Sequence, residues 1–170
     1  MSTRCYAGHM PEPRWLSDRE MRAWMGYRRM RLLLDLQLDR DLMSRSGLSE
    51  QDYDVLSNLS DATGEQMRLT DLAGHLRWSK SRLSHHVTRM RQRGLVDREE
   101  CAEDARGSML VLTPAGRKAI REAAPDHVRS VRKHFIDLLT EDELDALAAL
   151  SERVVQRLDP THPPAGRRPG

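Results

Sequence analysis

Arg68-Leu69-Thr70-Asp71-Leu72-Ala73-Gly74-His75-Leu76-Arg77-Trp78-Ser79-Lys80-Ser81-Arg82-Leu83-Ser84-His85-His86-Val87-Thr88-Arg89-Met90-Arg91-Gln92-Arg93-Gly94 decides the fold of this chain. The stretch divides into two short helices joined by a tight turn, the second helix basic. Ser79 suits an N-cap, because its hydroxyl accepts from an N–H that the first turn leaves unpaired. Gly94 suits the position just past the helix, where the backbone turns left-handed. Between them Leu83, Val87 and Met90 recur at i, i+4 and i+7 and predict one buried face.

At about 100° per residue, the opposite face carries Ser81, Ser84, His85, Thr88 and Gln92, with Arg82 and Arg89 on its flank. Hydroxyls, amides, imidazoles and guanidinium groups are what base edges and phosphates accept. Between residues 77 and 98 the basic side chains are Arg77, Lys80, Arg82, Arg89, Arg91, Arg93 and Arg98, against the single acid Asp97. A narrow apolar seam under a polar, basic outer face predicts the recognition helix of a helix-turn-helix.

Downstream, Leu95 to Cys101 reads as a strand, with Val96, Arg98 and Glu100 on one face. Ala102 to Gly107 reads as a polar loop, and Ser108 to Leu112 as the returning strand. Such a hairpin after a recognition helix is a wing. Arg106 near its tip is expected in a minor groove, whose negative potential attracts guanidinium groups, with Asp104 holding it in place.

The order of these motifs resembles the MarR family of bacterial winged-helix regulators. Leu-Thr-Asp-Leu-Ala opens one helix, Ser-Arg-Leu-Ser lies in the recognition helix and Gly-Leu-Val begins the first wing strand. The most specific parts are the wing pair Asp104 and Arg106 and the exit Leu112-Thr113-Pro114-Ala115-Gly116-Arg117. The likeness extends over residues 17–158. It implies a mainly α fold with a small β-hairpin, a winged helix-turn-helix flanked by N- and C-terminal dimerisation helices. It also implies a homodimer on double-stranded operator DNA, often released by a small ligand or an oxidant.

Expected divisions are an arm at 1–14, an N-terminal dimerisation helix at 15–46, a winged helix-turn-helix at 47–113, C-terminal dimerisation helices at 114–159 and a disordered tail at 160–170. The first helix opens with the capping box Ser17-Asp18-Arg19-Glu20. At about 28 residues it is a rod of ~40 Å, longer than a small winged-helix core can cover. A second box, Ser49-Glu50-Gln51-Asp52, opens the helix that buries Tyr53, Leu56 and Leu59. After the wing, Thr113 caps a helix with Pro114 in its first turn, and Pro125 is expected to kink or break it. Val128, Val131, Phe135 and Leu138 continue at helical spacing, and Thr140 to Glu143 is a third capping box. The last helix presents Leu144, Leu147, Val154, Val155 and Leu158. Two copies would set two recognition helices one DNA turn apart (~34 Å) on a pseudo-palindrome.

Other function classes fit less well. The chain has 170 residues and a formal net charge of only +2, so its basicity lies in the cluster rather than in a coat. No apolar run approaches the ~20 residues of a membrane span, and no apolar signal core stands near the N-terminus. The expected site is cytoplasmic. His85 and His86 are adjacent and diverge on a helix, and His127 and His134 lie two turns apart, so no metal site is expected. Carboxylates beside Cys101 suppress its thiolate, and Cys5 lies in the arm, so neither is expected to sense oxidants. There is no nucleophile–base arrangement or phosphate loop, hence no enzyme and no cofactor. Trp15, Trp24 and Tyr27 form the candidate contact for a small aromatic effector, against simple packing. The DNA-contacting set comprises Ser79, Ser81, Arg82, Ser84, His85, Thr88, Arg89, Gln92, Arg98, Asp104 and Arg106. A repressor is the leading reading. The alternatives are a winged-helix protein-interaction module, which would have lost the basic face, and a non-specific DNA binder.

Overall fold

A computed structural model describes residues 12–100 and 108–160. The helices are α1 (Asp18–Ser46), α2 (Glu50–Asp61), α3 (Leu69–His75), α4 (Lys80–Gln92), α5 (Pro114–His134) and α6 (Glu141–Leu158). The strands are β1 (Gln66–Arg68), β2 (Val96–Glu100) and β3 (Ser108–Leu112). The chain separates into two compact units, one ending at Asp35 and one beginning at Leu36.

The first unit contains the N-terminal part of α1. Ser17 and Glu20 form the expected box: Ser17 N–H donates to Glu20 Oε2 at 2.8 Å, and Glu20 N–H to Ser17 Oγ at 3.4 Å. From Asp18 to Leu33 every residue is exposed, including Met21, Trp24, Met25, Tyr27, Met30, Leu32 and Leu33.

The second unit holds the core. Val55, Leu56 and Leu59 of α2 pack with Leu72 of α3, Leu83, Val87 and Met90 of α4, and Leu110 and Leu112 of β3. Tyr53, expected among the buried residues, is half-buried at the edge of this cluster. The α2 box forms as read: Asp52 N–H donates to Ser49 Oγ and Ser49 N–H to Asp52 Oδ2, each at 3.1 Å. Asp39 adds a further cap by accepting from Glu50 N–H at 2.9 Å.

The hairpin register sets Val96 opposite Leu112 and Glu100 opposite Ser108. A third strand not anticipated from the sequence, β1, pairs antiparallel with the other edge of β3, Met67 opposite Leu110. The sheet order is therefore β1-β3-β2, and β3 is central.

The break expected at Pro125 does not occur, and α5 runs on to His134. Proline removes the N–H that would bond to the Arg121 carbonyl. Arg121 and Pro125 both lie on the exposed side, where water can serve that carbonyl, while Ile120, Ala123 and Ser130 hold both halves of the helix against the core. The helix stops instead before Phe135, and Leu138 falls in a short 3-10 turn. Helix α6 begins on its Thr140/Glu143 box and buries none of its residues. Among the described residues no helix is long and apolar enough to cross a membrane.

Candidate nucleic-acid interface

Helix α3 ends in a turn in which Arg77 takes a positive φ of 54° and Trp78 N–H donates to Ala73 O at 3.0 Å. That turn delivers Ser79 to the N-cap of α4, its hydroxyl accepting from Arg82 N–H at 3.2 Å. At the other end Gly94 has φ +72°, a conformation that side chains with a Cβ disfavour. The seam reads as the periodicity predicts: Leu83, Val87 and Met90 are fully enclosed.

On the outer side Ser81, Arg82, His85, Thr88, Arg89 and Gln92 are exposed. Thr88 Oγ1 donates back to Ser84 O at 2.9 Å, an arrangement common for hydroxyls inside helices. Ser84 is half-buried and turned toward the wing. Arg98 Nη2 donates to its Oγ at 2.9 Å, tying β2 to α4.

Much of the basic cluster is engaged by other groups, and Arg77 and Arg93 by groups far away in sequence. Arg93 Nη1 donates to Asp52 Oδ2 at 2.6 Å and its Nη2 to Gly47 O at 2.9 Å. Arg91 pairs with Asp97 at 3.1 Å, and Arg77 with Asp159. Arg89 Nη2 lies 3.0 Å from His86 Nδ1. Arginine only donates, so Nδ1 accepts and the ring proton belongs on Nε2. That nitrogen faces Asp52 Oδ1 at 3.1 Å. His86 is buried within this polar network.

Asp52 is the centre of this network. Burial is the largest influence on its carboxyl and by itself raises the pKa. The close contact with the His86 ring and hydrogen bonds from Arg93 and Ser49 N–H outweigh burial and hold the group far below the usual carboxylate range. The sequence revealed Asp52 only as a capping residue; its other partners come from α4, across the fold. A cleft of about 560 Å³ opens beside the network, lined by Ser49, Asp52, Trp78, Arg82, His86 and Arg89 among others.

Trp78 also lies at this site, a residue that the sequence reading did not single out. The Arg82 guanidinium carbon lies 4.2 Å from the Trp78 ring centroid, and the His86 ring meets Trp78 edge-on at 5.5 Å and 89°. An aromatic residue four before an arginine, across a helix N-cap, was the available signal.

Asp104, Arg106 and Cys101 lie outside the described residues, as does Cys5. Trp15, Trp24 and Tyr27 are exposed, and the Trp24 and Tyr27 rings stack at 6.0 Å. No group of three metal-ligating side chains occurs among the described residues.

A MarR family model matches residues 46–107. The chain is 31% identical over 109 residues to the transcriptional regulator HosA of Escherichia coli, spanning 64% of this chain and 78% of that protein. Its fold matches the crystal structure of AbsC, a MarR family transcriptional regulator from Streptomyces coelicolor, with a TM-score of 0.83 and 44% identity over 88% of this chain and all of that one. It also matches Sco3205, a MarR family transcriptional regulator of the same organism crystallised in complex with DNA, with a TM-score of 0.85 and 36% identity over 89% of this chain and 95% of that one. With its winged helix-turn-helix, capped recognition helix and exposed basic face, this chain belongs to the MarR family of transcriptional regulators.

Proposed function

We propose that the protein is a homodimeric repressor that reads a pseudo-palindromic operator through α4 and the wing. The observation that carries this reading is the outer face of α4. Its exposed side chains, Ser81, Arg82, His85, Thr88, Arg89 and Gln92, are polar or cationic, and it is anchored underneath by a fully enclosed seam. Ser79 supports the N-terminal turn, and Arg98 braces the wing against Ser84. Asp104 and Arg106 complete the reading as the wing-tip pair. The relative crystallised with DNA supports the same partner for this chain. Operator binding places its work in the cytoplasm.

Dimerisation is supported by apolar surface left uncovered in a single chain. Met21, Trp24, Met25, Leu32 and Leu33 on α1 are exposed, as are Leu150, Val154, Val155 and Leu158 on α6. Apolar exposure of this kind, on each helix by itself, marks a surface suited to pairing. An isologous dimer of such helices would present two α4 copies to successive turns of one groove. We propose residues 15–46 and 114–159 as the pairing elements and 47–113 as the DNA-binding part. Release by a small aromatic ligand, with Trp15, Trp24 and Tyr27 as its contacts, is the accompanying proposal for regulation.

The test is selection of bound sequences from random duplexes by purified protein, followed by affinity measurements across salt. Enrichment of an inverted repeat with half-sites about one turn apart is the expected result. No enrichment, with binding lost as salt rises, would leave electrostatic attachment or a protein partner instead.

A further inference from the structure

We propose that Trp78 is a positioning residue for base readout, holding the Arg82 guanidinium by its face so that its donor edge is presented to a guanine of the half-site. The inference rests on α4 being the base-reading helix. Arg82 occupies the third position of α4, in the N-terminal turn that a recognition helix directs at base edges. Its side chain meets no acceptor among the described residues. By contrast, Arg91, Arg93 and Arg98 each hold an oxygen, and Arg89 a ring nitrogen. The Arg82 guanidinium carbon lies over the Trp78 ring, 4.2 Å from the ring centroid.

The geometry of that contact matters. A guanidinium lying face-on to an indole is attracted by the ring quadrupole and keeps its in-plane N–H groups free. Two of those donors match guanine O6 and N7 in the major groove. Fixing the side chain before binding removes part of the ordering cost that a free arginine would incur on the DNA. Trp78 can act as a fixed platform because it is itself held. Its backbone N–H donates to Ala73 O at 3.0 Å, and the buried His86 ring abuts the indole edge-on at 5.5 Å. Asp52 holds His86 in turn, with Nε2 3.1 Å from Oδ1.

A purely structural role for Trp78 is the competing explanation, since it precedes the N-cap and packs against the core. The experiment therefore measures base preference as well as affinity. Trp78→Leu, Trp78→Phe, Arg82→Ala, Arg82→Lys and the double variant Trp78→Leu/Arg82→Ala are titrated against the selected operator, its single-base-pair variants and random duplex. Thermal unfolding of each variant is followed alongside.

Arg82→Ala and Trp78→Leu should relax preference at the same base pair, Trp78→Leu by roughly threefold to tenfold. The double variant should discriminate no worse than Arg82→Ala alone. Trp78→Phe, which retains an aromatic face, should fall between wild type and Trp78→Leu. Arg82→Lys should keep binding to random duplex while losing the preference. An even loss of affinity on all sequences in Trp78→Leu, with preference intact at the base pair that Arg82 reads, would overturn the proposal. If Trp78→Leu does not fold, Trp78→Phe decides in wild-type and Arg82→Ala backgrounds: a change of preference in the first alone supports the coupling, and equal effects in both overturn it. Wild-type protein that enriches no sequence would instead overturn the operator reading itself, before any variant is compared.

Discussion

His86 Nε2 lies 3.1 Å from Asp52 Oδ1, joining the underside of the recognition helix to the first turn of the helix behind it. The same carboxylate caps α2 and accepts from Arg93, so one buried group fixes both the start of α2 and the seating of α4. Its folded pKa is depressed. It therefore contributes stability that is fully present above the unfolded value of about 4 and is lost as pH falls below it. Asp52→Asn should destabilise the protein by on the order of 2 kcal/mol at pH 7, a figure reduced because the Arg93 head is partly in water. Urea unfolding at several pH values checks this: the gap to wild type should begin to narrow as pH falls below about 4. A gap unchanged down to pH 3 would refute the assignment.

Gly116 lies where the first turn of α5 passes Leu95, just before the start of β2. A Cβ built there would stand 1.9 Å from the Leu95 carbonyl oxygen. Thr113 fixes that approach, its Oγ1 donating to Gly94 O at 2.6 Å while accepting from Gly116 N–H at 3.0 Å. Backbone cannot retreat as a flexible side chain does, so Gly116→Ala should cost roughly 1–3 kcal/mol. Chemical unfolding of the variant measures it. Wild-type stability would show that the turn can relax.

His127 packs on Tyr53 with ring centroids 4.2 Å apart, and its Nδ1 is buried without a hydrogen-bond partner among the described residues. Burial lowers its pKa, and the nearby Asp54 charge offsets this only in part. A lowered histidine contributes stability that is present above the unfolded value of about 6.5 and lost as pH falls through it, because the unfolded chain takes the proton first. Asp54, raised by its own burial, drifts the opposite way, so the readout is the difference between variant and wild type. His127→Phe should lose less stability than wild type between about pH 6.5 and 5. Parallel pH profiles would exclude this role.

Arg98 links the wing to the recognition helix through Ser84. Arg98→Ala removes that brace and leaves Ser84 without its donor, a loss of about 1–3 kcal/mol in local wing stability. Amide exchange in β2 should accelerate while α2 stays protected, and operator affinity should fall with it. Unchanged exchange in β2 would mean that the sheet alone orients the wing.

Val154 is exposed on α6, in the apolar face assigned here to pairing. Val154→Asp should shift the protein from dimer to monomer in sedimentation analysis and weaken operator binding through the loss of two-site attachment. A monomeric wild type would refute the pairing assignment; a dimeric variant with full affinity would move the interface elsewhere.

Helix ends and seams were legible because their determinants are local. Ser49, Ser79, Thr113 and Thr140 cap the helices whose starts they mark, and Leu83, Val87 and Met90 lie under α4 as their spacing requires. Strand β1 was not legible, since three residues carry too little alternation and its definition comes from pairing with β3. The break that Pro125 allowed does not form for a related reason: its sequence signal is a missing donor, whereas the cost depends on whether the orphaned carbonyl faces water.

The sequence by itself determined the order of helices, the wing strands and the polar composition of the α4 outer face, all governed by residues within a turn or two of one another. Only the tertiary structure decided which basic groups remain available. Asp52 and Asp159, far from the cluster in sequence, reach Arg93 and Arg77, and Arg98 turns to Ser84. Arg82 is left stacked on Trp78 with its donors unengaged among the described residues. Charge neutralisation acts through space over a few ångströms, and that proximity is set by packing rather than by position along the chain.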